Sequence, residues 1–207
     1  MQIKQFVAKF WLSLCLILMP WMANAAVNSN DPVALLQYIA NNMIEQLKVN
    51  QANLKNKPDV VFKLAYKYVV PYADLEDMSR RVVPPQTWNQ ASAADRARFQ
   101  KEFTNLVIRT YASALSSYKD QTVKIFPVRG NLAQLTNVEV ASEINSPDAQ
   151  PIRVTYRLLK RGNSWKLYDM SVEGVSLIES FRSQFADIIA KGNLTDLIAK
   201  MQQHNAR

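Results

Sequence analysis

Ile152-Arg153-Val154-Thr155-Tyr156-Arg157-Leu158-Leu159-Lys160-Arg161-Gly162-Asn163-Ser164-Trp165-Lys166-Leu167-Tyr168-Asp169-Met170-Ser171-Val172-Glu173-Gly174-Val175-Ser176 is the stretch that decides the fold. Its first half has a period of two. Ile152, Val154, Tyr156 and Leu158 fall on one side, and Arg153, Thr155 and Arg157 on the other, as in a strand with one wet face. Arg161-Gly162-Asn163 is a turn signal, and residues 164–173 follow as the last strand. That strand is apolar on both sides. Strict alternation places Tyr168, Met170 and Val172 on one face, and Trp165 and Leu167 on the other, together with Asp169 and Glu173. A strand apolar on both faces is covered on both. The cover is either plain core or, on one side, the wall of a cavity.

Upstream, Val123 and Ile125 alternate with Thr122 and Lys124, and Val138, Val140 and Ile144 alternate with Glu139 and Ala141. Four strands with short connections predict an antiparallel meander. Helical patterns flank it. Asp31-Pro32 opens the first helix, with Asp as N-cap, and Leu36, Ile39, Met43 and Leu47 form its stripe. A second helix opens at Pro58, buries Val61, Leu64, Ala65 and Tyr68, and stops before Pro71. Asp74 caps a short helix ending near Val83. Ser92, with Asp95 three residues on, starts the longest helix, whose apolar side carries Phe99, Phe103, Leu106, Val107, Tyr111, Ala114 and Leu115. After the sheet, Gly174 turns the chain into a helix capped by Ser176, with Leu177, Ile178, Phe181, Phe185, Ile188 and Ile189 inward. Gly192 ends it as a left-handed C′ residue. Asn193 and Asp196 cap a final helix through Met201. Helices, a meander, then helices read as one α+β domain.

The first 25 residues read as a secretory signal: Lys4 and Lys9, an apolar run from Phe10 to Met19, then Ala23-Asn24-Ala25 as the cleavage site. The run is shorter than the ~20 residues that span a bilayer. Cleavage after Ala25 leaves residues 26–207 as a single domain. It removes two lysines and no acid, lowering the formal charge of +8 to +6, and it removes Cys15, the only cysteine. The mature chain therefore has no disulfide and no thiolate metal site. His204, the only histidine, lies near the C-terminus, which disfavours a serine triad or a histidine metal site. Four scattered glycines make no phosphate loop. Export argues against nucleic acid as the partner of the positive charge. The arginines at 80, 81, 96 and 98 read as a solvated face. Weak attraction to anionic lipid is the other use of the charge.

Trp165-x-x-Tyr168-Asp169-Met170-x-x-Glu173-Gly174-Val175-Ser176-Leu177, running on to Phe181-Arg182-x-Gln184-Phe185, resembles the signature of the MlaC family, the toluene-tolerance proteins. Val70-Pro71-Tyr72 is similar to the family's second marker. The resemblance covers roughly residues 31–202. It departs at Phe181, where family members often carry Tyr, and at 145–150, which match no family motif. The resemblance implies a periplasmic phospholipid carrier: a twisted antiparallel sheet of four strands, or five, packed with about six helices around an apolar pocket. Acyl tails lie inside and the headgroup in solvent. It also implies two docking partners, an inner-membrane ABC transporter complex with a ring of substrate-binding domains and an outer-membrane lipoprotein–porin complex. No cofactor is expected, only phospholipid as cargo, and the protein is expected to be a monomer. The expected pocket wall is Tyr168, Met170, Val172 and Val175, faced by Val70, Tyr72, Leu106 and Val107. Two other classes compete. One is a ligand-free periplasmic interaction module. The other is an enzyme using Asp169 or Glu173 as a carboxylate base in an apolar pocket.

Overall fold

Capping side chains fix most helix starts. The computed structural model describes residues 27–54 and 59–206. The segment read as a secretory signal, Cys15 and the expected opening of the second helix at Pro58 lie outside the described residues. Helix α1 (Pro32–Val49) begins where the Asp31 carboxylate accepts from the Val33 and Ala34 amides at 2.8 and 3.0 Å. A single turn, α2 (Gln51–Leu54), precedes α3 (Asp59–Tyr68). Pro71 sits in a 3-10 turn, Val70–Tyr72. Asp74 caps α4 (Leu75–Val82), and Pro85 starts a short α5 (Pro85–Gln90) that alternation in the sequence does not signal. Ser92 caps the 24-residue α6 (Ala93–Ser116). Its hydroxyl accepts from the Asp95 amide and donates to the Asp95 carboxylate, so the capping box is half made.

The sheet has five strands in sequence order, all antiparallel: β1 (Thr122–Ile125), β2 (Asn137–Ser146), β3 (Ala149–Arg161), β4 (Ser164–Val172) and the two-residue β5 (Val175–Ser176). The β3–β4 hairpin turns through Gly162-Asn163, with Gly162 left-handed at φ +58°. Between β4 and β5 both loop residues are left-handed, Glu173 at φ +49° and Gly174 at +82°, as a type I′ turn requires. Glu173 is held there by Arg153, whose amide donates to its carboxylate at 2.5 Å and whose carbonyl accepts from its amide at 2.9 Å.

Helix α7 (Leu177–Lys191) follows at once, capped by Ser176, and α8 (Leu194–Asn205) opens with a complete Asn193–Asp196 capping box. It runs four residues past Met201, and His204 lies in its last turn rather than in a loose tail. Gly192 does not end α7 as a left-handed residue: its φ is −149°. Glycine is required by space. A Cβ there would stand 2.4 Å from an Asp196 carboxylate oxygen, inside the next helix's cap.

Strict alternation also fails in β4. Tyr156 pairs with Met170, but Leu158 pairs with Leu167, so Tyr168 is the extra residue of a β-bulge. The bulge brings Leu167 and Trp165 onto the face of Met170 and Val172. Asp169, paired with Arg157, stays on the other face. Lys160, the partner of Trp165, extends its ammonium over the indole at 5.7 Å.

The core is in three parts. A helix-side cluster joins α4 to α8 through Met78, Trp88, Phe99, Phe103, Phe181, Phe185 and Ile198. A sheet-side cluster holds Leu35 and Leu36 of α1 against Val138, Val140, Leu158, Trp165 and Leu167. A third joins α1, α3 and the end of α6 through Met43, Leu47, Val61, Leu64 and Ala112. Of the arginines read as a solvated face, Arg80 and Arg98 are exposed and Arg81 and Arg96 partly so, and each makes a local polar contact. Arg80 and Arg81 each reach the buried Asp77 at 2.5 Å, Arg98 pairs with Asp95, and Arg96 donates to the Trp88 and Asn89 carbonyls.

Candidate functional site: an apolar cleft between sheet and helices

Register and alternation arrange the apolar face of the sheet in rows. Val123, Ile144 and Ile152 form the first row. Ile125, Ser142, Val154, Val172 and Val175 form the second, and Val140, Tyr156 and Met170 the third. Val138, Leu158 and Leu167 form the fourth. Deep in the sheet, Leu158 and Trp165 have no exposed surface. At the opposite end Ile152 is 40% exposed and Val175 66%. Val172, Met170 and Tyr156 are half-buried between these extremes. Along α6 the same gradient runs from buried Phe99 and Phe103 to half-buried Leu106, Val107 and Tyr111.

The seam between the two layers crosses this face. Tyr156 packs on the sheet-side cluster, and its cross-strand partner Met170 packs on the helix-side cluster. Among the described elements α6 packs closely on α3, α4 and α8, while α1 covers β1 and β2, and α4 and α7 approach β4. The apolar seam between α6 and the sheet, exposed at its Ile152–Val175 end, is the candidate cleft.

Of the residues expected from the sequence to line a pocket, Leu106, Val107, Tyr168 and Met170 pack together on the helix-side cluster. Tyr168 has the Arg81 guanidinium 4.5 Å from its ring centre. Tyr72 lies on the sheet side, edge-on to Tyr38 with centroids 5.8 Å apart. Val70 is half-buried in the 3-10 turn and is a member of none of the three clusters. Val172 and Val175 are adjacent in the second row, at the open end. Ile152, Val154 and Tyr156 share this face of the sheet, and Tyr111 packs on the helix-side cluster beside Leu106 and Val107. Their apolar periodicity is legible in the sequence, but their cross-strand and cross-layer neighbours are not.

The carboxylates beside the cleft are structural clasps. Buried Asp169 accepts from the Ser176 hydroxyl at 2.8 Å, the Ile178 amide at 3.1 Å and Arg157 at 2.8 Å. It thus ties the N-terminus of α7 to β4. Arg157 also reaches Glu139 at 2.8 Å, so charges of opposite sign alternate across three strands of the outer face. Within the cleft, burial raises the Tyr111 phenol, the Asp169 charge adding to it. Burial also raises the Tyr156 phenol, the neighbouring Ser142 hydroxyl opposing it. Two shallow recesses of about 300 and 320 Å³ lie elsewhere, around Leu75 and Gln100. Their walls include Lys101, Thr104, Asp74 and Arg161, and no residue of the cleft. Among the described residues no cluster of three or more His, Cys, Asp or Glu could hold a metal ion, and no helix is long and apolar enough to cross a membrane.

An antiparallel meander whose apolar face is buried by helices at one end and exposed at Ile152 and Val175 at the other defines an α+β protein with apolar surface left at one edge of its core. The model of the MlaC protein family matches residues 37–203, and the chain belongs to that family. It is 27% identical over 185 residues to the intermembrane phospholipid transport system binding protein MlaC of Haemophilus influenzae, covering 88% of this chain and 86% of that protein. It is 24% identical over 182 residues to the toluene tolerance protein ttg2D of Pseudomonas putida, covering 87% and 84%. Its fold superposes with a TM-score of 0.78 and 32% identity on a phospholipid-binding protein from Ralstonia solanacearum solved in complex with a phospholipid, covering 85% of this chain and 97% of that one.

Proposed function

We propose that this protein carries phospholipid through the periplasm, with acyl tails in the cleft between α6 and the sheet and the headgroup wet at the Ile152–Val175 end. The observation that carries the reading is the apolar face left open at that end, with Ile152 and Val175 exposed, in a chain similar to a protein solved with phospholipid. Each methylene taken out of water is worth about 0.8 kcal/mol, so two tails gain roughly 20 kcal/mol or more. A bilayer offers nearly the same. The cleft needs only to approach that value, and transfer is then close to neutral. Direction comes from partners, and the relative named for an intermembrane transport system fits a chain that works between two complexes. These are an inner-membrane ABC transporter with its ring of substrate-binding domains and an outer-membrane lipoprotein–porin complex. The carrier is a monomer, exported and cleaved after Ala25, and needs no catalytic group.

Material exported to the periplasm and purified without added lipid tests this directly. Organic extraction with mass spectrometry should return stoichiometric phospholipid, and the intact mass should begin at Ala26. A monodisperse protein whose extract contains no lipid overturns the carrier reading in favour of a solid interaction module.

A further inference from the structure

On the carrier reading the tails lie against the apolar face of the sheet, and we propose that the cross-strand pair Tyr156–Met170 is where they stop. The pair sets the length of acyl chain the cleft accepts. The open strip runs along β4 and β5: Val175 is exposed, Val172 and Met170 are half-buried, and Leu167 and Trp165 are buried. On β3 the sequence is exposed Ile152, buried Val154, half-buried Tyr156 and fully buried Leu158. Both strands therefore lose their last open surface between the third row and the fourth.

The third row is also where the floor rises. The row nearer the mouth presents the smaller side chains of Ser142, Val154 and Val172, and the next presents the bulk of Tyr156 and Met170. In the mouth-side row the Ser142 hydroxyl is turned onto its own strand pair, donating to the Val154 carbonyl at 3.2 Å, and adds no bulk to the floor. Beyond the pair, Leu158, Leu167 and Trp165 close with Leu35 into one buried cluster. Because Tyr156 belongs to the sheet-side cluster and Met170 to the helix-side one, this is the last row at which the layers can part around a ligand. From Ile152 to Tyr156 the strip is four residues of strand, about 13 Å, and passing the pair would add about 7 Å.

Loading from vesicles of equimolar dimyristoyl- and dioleoyl-phosphatidylglycerol, followed by extraction, reads the bound ratio of long to short chains. Tyr156→Ala and Met170→Ala should each raise that ratio several-fold over wild type. Val172→Phe, which fills the strip from the mouth side, should lower it. Met170 is half-buried, so its variant remains informative if Tyr156→Ala does not fold. Wild-type loading with the same ratio in every folded variant overturns the chain-length role and leaves the carrier reading standing. A wild-type protein that takes up no lipid overturns both.

Discussion

Two residues show how burial and charge divide the work. Val175 is apolar and two-thirds exposed at the end of the sheet, so a carboxylate there can stay hydrated in the empty protein. With a tail seated against it, the same carboxylate loses water at a cost of several kcal/mol. Val175→Glu should leave the stability within the range of a surface change, about 0.5 kcal/mol, and abolish phospholipid retention. Circular dichroism, melting and extraction on one preparation check this, and wild-type lipid content would remove Val175 from the mouth. Asp77 is the opposite case. Burial pushes its carboxyl up, but hydrogen bonds from Arg81 and Arg80 and their charges outweigh that and hold it below the ordinary range. A group with a depressed folded value adds stability that is complete above the ordinary carboxyl value near 4 and is lost as pH falls through the lower folded one. Asp77→Asn should therefore destabilise the protein at neutral pH and flatten the fall of urea midpoint with pH below about 4. A variant whose acid limb matches wild type would move that role elsewhere.

At the scale of elements, the corner from β4 through β5 to α7 holds the two layers together. Asp169 and the Ser176 cap satisfy the first amides of α7 while Arg157 anchors the carboxylate to β3. Ser176→Ala removes the cap and one partner of Asp169, and should cost about 1–2 kcal/mol in chemical denaturation. The α7–α8 corner makes a sharper test, because its constraint is steric. Gly192→Ala drives a methyl into the Asp196 carboxylate that closes the α8 capping box, and should cost roughly 1–2 kcal/mol. In an Asp196→Ala background the same change should cost far less, since the clash and the cap are already gone. Additive losses would show that Gly192 acts through its backbone instead. The caps themselves could be read directly. Asp31, Asp74, Ser92, Ser176 and Asn193 each stand one residue before a helix start.

For the molecule as a whole, the apolar side chains fall into three clusters, and on the carrier reading a tail lies along the seam between the sheet-side and helix-side ones. Cargo should then act as a missing piece of core. A ligand at about a hundred times its dissociation constant stabilises by about 2.7 kcal/mol. For a chain of this size that corresponds to roughly 5–10 °C in melting temperature. Protein stripped of lipid under mild detergent and returned to buffer should melt that much lower, and reloading should restore it. Equal melting temperatures would mean that the cleft closes fully on itself when empty.

What the sequence by itself determined about this protein is local chemistry. The capped helix starts, the period-two strands, the Gly162-Asn163 turn, the α+β class and the family signature from Trp165 to Phe185 all depend on residues close to one another along the chain. What only the tertiary structure decided is which side chains meet. One inserted residue, Tyr168, reverses the facing of Trp165 and Leu167, and a bulge has no periodic trace in sequence because it breaks the period. Gly192 looked like an ordinary helix end, and its reason is a carboxylate on the following helix. The row that joins Ile125, Ser142, Val154, Val172 and Val175 exists only through strand register. Burial is a property of pairs of distant segments, and no segment carries it alone.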